Sequence, residues 1–237
     1  MTHHDAIALI DTPWFRRLTA PTRWADLGCG SGTFTLALAD LLAPGSSIEA
    51  VDLRPSIAPQ TTPRGVSIHP RAADFTTLDI ILRAAATRRA VNSGSAHRAT
   101  DPNSAAAADT ASDPGLATIL PPRLWPGTQP LAYDGILMAN SLHYVTDQRS
   151  FLNRLFGSPG STQHSSTHGT PARPGALLLV EYDTEVPVTR WVPYPLSFAA
   201  ATRLLQSTHW PHVRKLGTQP SAFGRTELYA ALALPEE

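Results

Sequence analysis

Three glycines in five residues, Gly28, Gly30 and Gly32, separate a short apolar run from a segment with helical periodicity. The run is Arg23-Trp24-Ala25-Asp26-Leu27, and the helical segment covers 32–42, with Phe34, Leu38, Leu41 and Leu42 on one face. Pro44-Gly45 ends that helix, and Ser47 to Asp52 reads as a second strand. A strand that runs into a glycine turn and then a helix opens a β-α-β unit, and this constrains the chain to an open α/β sheet. Glycines in the turn permit positive φ and let the backbone approach a ligand closely. The helix behind them offers free N–H groups and a partial positive charge of about +0.5. In such sheets ligands sit beyond the carboxyl ends of the strands, where strand order reverses. Asp52 closes the second strand twenty residues past Gly32, where a carboxylate can accept both hydroxyls of a ribose. Glycine turn and ribose acid together point to an adenosine cofactor.

The rest of the chain alternates in the same way. Val66 to Ala73 is a third strand, weakened by Pro70. Tyr133 to Asn140 and Ala176 to Val180 are continuous apolar runs, as expected of strands covered on both faces. Asp147 to Phe156 and Pro195 to Gln206 suit helices. Val213 to Gly217 and Thr226 to Leu234, joined by a turn, read as an antiparallel hairpin. Two tracts differ in texture: 83–129 and 157–174 are rich in Ala, Thr, Ser and Pro and too poor in large apolar residues to offset their ordering entropy. They read as flexible insertions, with a helix over 79–91 at the edge of the first. The expected architecture is a single domain, 1–237, with a doubly wound, mostly parallel seven-stranded sheet closed by the hairpin.

Composition narrows the function. The 237 residues carry 19 basic and 19 acidic side chains, so there is no net field for nucleic acid or an anionic membrane. No apolar run approaches the ~20 residues of a membrane helix, and the start MTHHDAIALID lacks a secretory pattern. A single cysteine, Cys29, excludes an internal disulfide framework and a multi-cysteine zinc site. A soluble cytoplasmic protein is expected. Lys215 is the only lysine, which removes lysine-dependent chemistry.

The cofactor can be narrowed further. A dinucleotide fingerprint places its third glycine at position 33, where this chain has Thr33. Asp26, two residues before Gly28, would repel a pyrophosphate and attract an ammonium group. S-adenosylmethionine has an ammonium and no phosphate, and fits better. The run Asp26-Leu27-Gly28-Cys29-Gly30-Ser31-Gly32, followed by Val51-Asp52-Leu53, resembles the first two signatures of class I S-adenosylmethionine-dependent methyltransferases. Ala73-Asp74-Phe75, Asn140-Ser141-Leu142-His143 and Pro174 to Val180 resemble later stations of the family, in order. The resemblance implies a Rossmann-like methyltransferase fold, S-adenosyl-L-methionine as cofactor, and a small-molecule methyl acceptor as partner. By position, it implies that Asp26 and the Gly28, Cys29, Gly30 and Gly32 backbone hold the methionine part. It gives Asp52 the ribose, Asp74 the adenine amino group, Leu53 and Phe75 the faces of the ring, and Asn140 or Ser141 the sulfonium end.

Each assignment has a plainer competitor. Asp26 can cap the first helix, and Asp74 can be an ordinary helix N-cap, since Phe75-Thr76-Thr77 follow it. Cys29 reads as a small residue in a tight loop. His143 can accept a proton from an acceptor hydroxyl, with Tyr144 second, or be a structural histidine. Tyr182, Trp191 and Tyr194, after strand five, can line a substrate pocket or seal a loop. No metal site is expected, because nothing completes one around His209 and His212. The lysine pair of RNA 2′-hydroxyl enzymes is absent, and after strand four, where the run is Asn140-Ser141-Leu142-His143, there is neither the nucleophilic cysteine of 5-methylcytosine enzymes nor the Pro-Pro pair of amino-group methylases. A non-catalytic binder of the cofactor and a nicotinamide oxidoreductase are the alternatives.

Overall fold

The computed structural model describes residues 1–77, 133–155, 175–188, 190–221 and 226–235. Helix α1 (His3–Ile10) begins with a capping box. Thr2 Oγ1 accepts from the Asp5 amide at 3.1 Å, and the Asp5 carboxylate accepts from the Thr2 amide at 3.0 Å. Strand β1 (Arg23–Leu27), helix α2 (Thr33–Ala39) and strand β2 (Ser47–Asp52) form the expected β-α-β unit. Then come β3 (Gln60–Thr61), β4 (Ser67–Ala72), β5 (Gly135–Ala139) and helix α3 (Gln148–Leu155). The chain closes with β6 (Ala176–Tyr182), α4 (Phe198–Gln206), β7 (His212–Pro220) and β8 (Glu227–Leu234). Helix α4 starts three residues beyond Pro195, where Ser197 Oγ accepts from the Ala200 amide at 3.2 Å.

The eight strands form one sheet in the order β3-β4-β2-β1-β5-β6-β8-β7. Strands β4, β2, β1, β5 and β6 run parallel, and β8 and β7 return antiparallel as the hairpin. Seven of the eight are those read from the sequence. The eighth, β3, is a two-residue edge strand that pairs antiparallel with Ser67 and Ile68 of β4 and stops there. Beyond Ile68 that edge is free of β3, so Pro70, with no N–H to give, takes no bond from it. The tracts 83–129 and 157–174, and the helix expected over 79–91, lie outside the described residues.

The sheet is covered on both faces. Trp24, Ile48, Leu137, Leu178 and Val180 pack with α1 and α2 on one side. Leu27, Ile136, Met138, Leu177 and Leu179 pack with α3, α4 and Trp210 on the other. Alternate residues of β6 therefore enter opposite cores, which is why its sequence is a continuous apolar run. Strand order reverses between β1 and β5, and the carboxyl ends of the central strands meet at one edge. Among the described residues no helix is long and apolar enough to cross a membrane.

Candidate functional site

The glycine turn after β1 is clamped to the end of β2. The amides of Gly28 and Cys29 both donate to Val51 O, at 2.8 and 3.0 Å. The Gly30 amide donates to Asp52 Oδ2 at 2.9 Å, and the Arg54 amide to Asp52 Oδ1 at 2.9 Å. Asp52 thus organises the loop with one lone pair on each oxygen, and each oxygen keeps further acceptor capacity. Gly28 has φ of +87°, and a Cβ there would stand 2.4 Å from Cβ of Ser141, so both conformation and space demand glycine. Gly32, at φ +82°, faces Ile57 and caps α2.

Above this turn opens a cavity of about 1110 Å³, somewhat larger than the roughly 300–1,000 Å³ usual for small-molecule sites. Its wall brings together Asp26, Gly28, Cys29, Gly30, Asp52, Leu53, Asp74, Phe75, Asn140 and Ser141, contributed by the ends of β1, β2, β4 and β5. Gly32 shapes the turn from behind and is not in the wall. Tyr144 and Tyr182 complete one side. Met1 and Asp5 of the α1 segment, and Gln219 to Ser221 at the end of β7, also line it. These last residues have no counterpart in the sequence reading. The Gln219 carboxamide donates to Asp5 O at 3.1 Å and ties the two covers together.

Two buried oxygens in this wall have no protein partner. Asp26 is 1% exposed; its Oδ2 accepts from Thr35 Oγ1 at 2.5 Å, while its Oδ1 is unpartnered. Burial, helped by the nearby Asp52 charge, raises its carboxyl to about 7. Asn140 Oδ1 is likewise unpartnered. Asn140 is the only non-glycine with positive φ among the described residues, at 54°, directly after β5. Such strain at a strand end is retained where the side chain must be aimed. An unpaired buried polar atom costs roughly 1–3 kcal/mol, and both of these belong to residues that line the cavity.

The neighbouring groups are less available. Ser141 Oγ donates to Leu27 O at 2.6 Å and pins the β5 turn to β1. Asp74 Oδ1 accepts from the Thr76 amide and hydroxyl at 2.9 and 2.6 Å, so Asp74 caps the Phe75–Thr77 turn as well as lining the cavity. Burial, then the charges of Asp26 and Asp52, push the Cys29 thiol up to about 12.

His143 does not reach the cavity wall. It is 1% exposed, its ring centroid 4.4 Å from Tyr144 and 6.0 Å from Tyr182. Its Nδ1 lies 2.5 Å from Oε2 of Glu181, and its amide donates to Oε1 at 3.2 Å. Glu181 is fully buried in β6. The Tyr144 and Tyr182 phenols are raised, first by burial and then by the Glu181 charge, and stay neutral. Trp191 and Tyr194 lie on the 188–194 turn, closed by a Val188–Val192 bridge, and are 65% and 42% exposed. They are not in the cavity wall; the Tyr194 amide donates to His143 O at 3.0 Å. Among the described residues no group of three His, Cys, Asp or Glu could hold a metal.

This architecture has relatives among solved structures. One is the Burkholderia thailandensis 1,6-didemethyltoxoflavin-N1-methyltransferase with bound 1,6-didemethyltoxoflavin and S-adenosylhomocysteine. It is 15% identical, with 99% of this chain and 78% of that one covered, at a TM-score of 0.52. Another is the N-terminal domain of EvdMO1 with SAH bound, also 15% identical, with 99% and 81% covered, at a TM-score of 0.50. The chain has the Rossmann-like methyltransferase fold. At this identity the likeness is one of fold. No family model matches the sequence, and no curated protein matches it.

Two features of the site were invisible in the motifs. Glu181 sits in Ala176-Leu177-Leu178-Leu179-Val180-Glu181-Tyr182, and a carboxylate inside such a run signals a buried partner. Thr2-His3-His4-Asp5 has the spacing of a capping box and signals an ordered helix at the start of the chain.

Proposed function

We propose that this protein is a methyltransferase that uses S-adenosyl-L-methionine and a small-molecule acceptor. The observation that carries the reading is the pair of unpartnered buried oxygens, Asp26 Oδ1 and Asn140 Oδ1, in one cavity with Asp52 and Asp74. That acceptor set fits the cofactor: carboxylates suit its ammonium, ribose hydroxyls and adenine amino group, and none suits a pyrophosphate. The solved neighbour that holds S-adenosylhomocysteine beside 1,6-didemethyltoxoflavin supports the same reading.

When bound, S-adenosylmethionine supplies an electrophilic methyl group on a sulfonium. Asp26 pairs the ammonium, and the Gly28–Gly32 turn gives the backbone close approach. Asp52 accepts from the ribose, Asp74 from the adenine amino group, and Leu53 and Phe75 cover the ring. Asn140 aims its free carbonyl at the sulfonium end, while Ser141 holds the turn. Tyr144 and Tyr182 face the acceptor and exclude water, with an aromatic attraction to the sulfonium worth roughly 0.5–2 kcal/mol. Holding the acceptor in line is the main catalytic contribution. The protein acts in the cytoplasm, free of nucleic acid and membrane, and the tracts 83–129 and 157–174 are insertions in one domain.

The test is transfer of a radiolabelled methyl group from S-adenosylmethionine to a panel of small phenols, alcohols, amines and heteroaromatics. Labelled product supports the reading. Cofactor binding with no labelled product across the panel would support a non-catalytic binder instead.

A further inference from the structure

Behind the two tyrosines of the cavity wall lies a buried acid that the mechanism has not yet used. We propose that Glu181 is a positioning residue, which holds His143 in its Nδ1–H tautomer and so makes Nε2 the basic nitrogen. The tautomer stands on the geometry of the pair and is independent of the function proposed above.

Two donors of one residue converge on the two oxygens of Glu181. The His143 amide reaches Oε1 at 3.2 Å, and its Nδ1 lies 2.5 Å from Oε2. The amide proton is fixed, so Oε1 is an acceptor. With Oε1 taking the amide, a proton on Nδ1 makes the short contact a hydrogen bond, whereas a bare Nδ1 would set two acceptors against each other. Burial of a carboxylate is strongly unfavourable without such partners, and both oxygens are satisfied. The ring cannot turn over without giving up this bond. It is packed between Tyr144 and Tyr182, and its backbone is held by the Tyr194 amide. The titratable groups around the pair are the phenols of Tyr144 and Tyr182, and of Tyr229, which is opposite Glu181 in the β6–β8 register. All three are raised by burial and by Glu181, so none competes for the proton.

The experiment is long-range ¹H–¹⁵N correlation on the full chain labelled with ¹⁵N-histidine, at a pH well above the imidazole range. A His143→Asn sample identifies the ring by loss of its signals. In the native protein, Nδ1 should give a protonated-type shift and Nε2 an unprotonated one. The opposite tautomer, or an imidazolium that persists at that pH, would overturn the proposal. Glu181→Gln sharpens the test. A carboxamide has one acceptor oxygen for the two donors, and with it on the backbone amide the NH₂ faces Nδ1. The proton should therefore move to Nε2; an unchanged tautomer in the folded variant refutes the assignment. If that variant fails to fold, the native spectrum alone decides. S-adenosylhomocysteine should bind Glu181→Gln within about twofold of native, since the acid lies outside the cavity wall. Loss of binding in native protein as well would remove the methyltransferase reading and leave the tautomer result standing.

Discussion

Replacing Asp26 with Asn separates the cost of a buried carboxylate from its use. The folded carboxyl stands at about 7 against a usual 3.8, raised chiefly by burial. Between those values the folded protein holds a proton that the unfolded chain has released. The resulting stabilisation is full below about pH 4 and is lost as pH rises to about 7, at roughly 1.4 kcal/mol per pH unit, or about 4 kcal/mol in all. Asn keeps an acceptor for the Thr35 hydroxyl, now 2.5 Å from Oδ2, and cannot ionise. The assay is urea unfolding of native protein and Asp26→Asn at about pH 5 and about pH 8; the native stability relative to the variant should fall by about 3 kcal/mol over that interval, because the loss is complete near 7. The same variant should bind S-adenosylhomocysteine at least about tenfold more weakly, about 1.4 kcal/mol, for want of the ammonium's partner. Stability that changes with pH identically in the two proteins would refute the reasoning.

Other outcomes follow from the same turn. Gly28→Ala forces a side chain into left-handed backbone and against Ser141 Cβ at 2.4 Å. It should cost about 1–3 kcal/mol in thermal unfolding and abolish cofactor binding by calorimetry. Cys29, with its thiol pushed up to about 12, should resist iodoacetamide at about pH 8 in folded protein and react on unfolding. Rapid labelling of the native thiol would contradict that.

Much of this site is legible because its signals are local. A strand, a glycine turn and a helix must be adjacent in sequence, and Asp26, Asp52, Asp74 and Asn140 each stand where a central strand ends. Their shared edge is a consequence of parallel strands, so reading the strands also reads the cavity floor. The cover is different. Met1, Asp5 and Gln219 meet there only because α1 packs on α2 and the hairpin returns beside it, contacts between segments some two hundred residues apart. Trp191 and Tyr194 follow β6 as an acceptor wall would. Yet the Val188–Val192 bridge turns the chain so that Tyr194 meets the His143 backbone instead of the cavity, a local fold that composition does not encode. The Glu181–His143 pair joins β6 to the turn beyond β5 and becomes visible only when β5 and β6 are placed in register.

The most direct test of the cofactor site is calorimetric titration of S-adenosylhomocysteine into native protein and Asp52→Ala. Removing Asp52 takes a ribose acceptor away and also frees the Gly30 and Arg54 amides that it holds at 2.9 Å. Micromolar binding to native protein, weakened by about tenfold or more in the variant, is the expected result. Absence of binding to the folded native chain, with binding of a nicotinamide dinucleotide in its place, would contradict it.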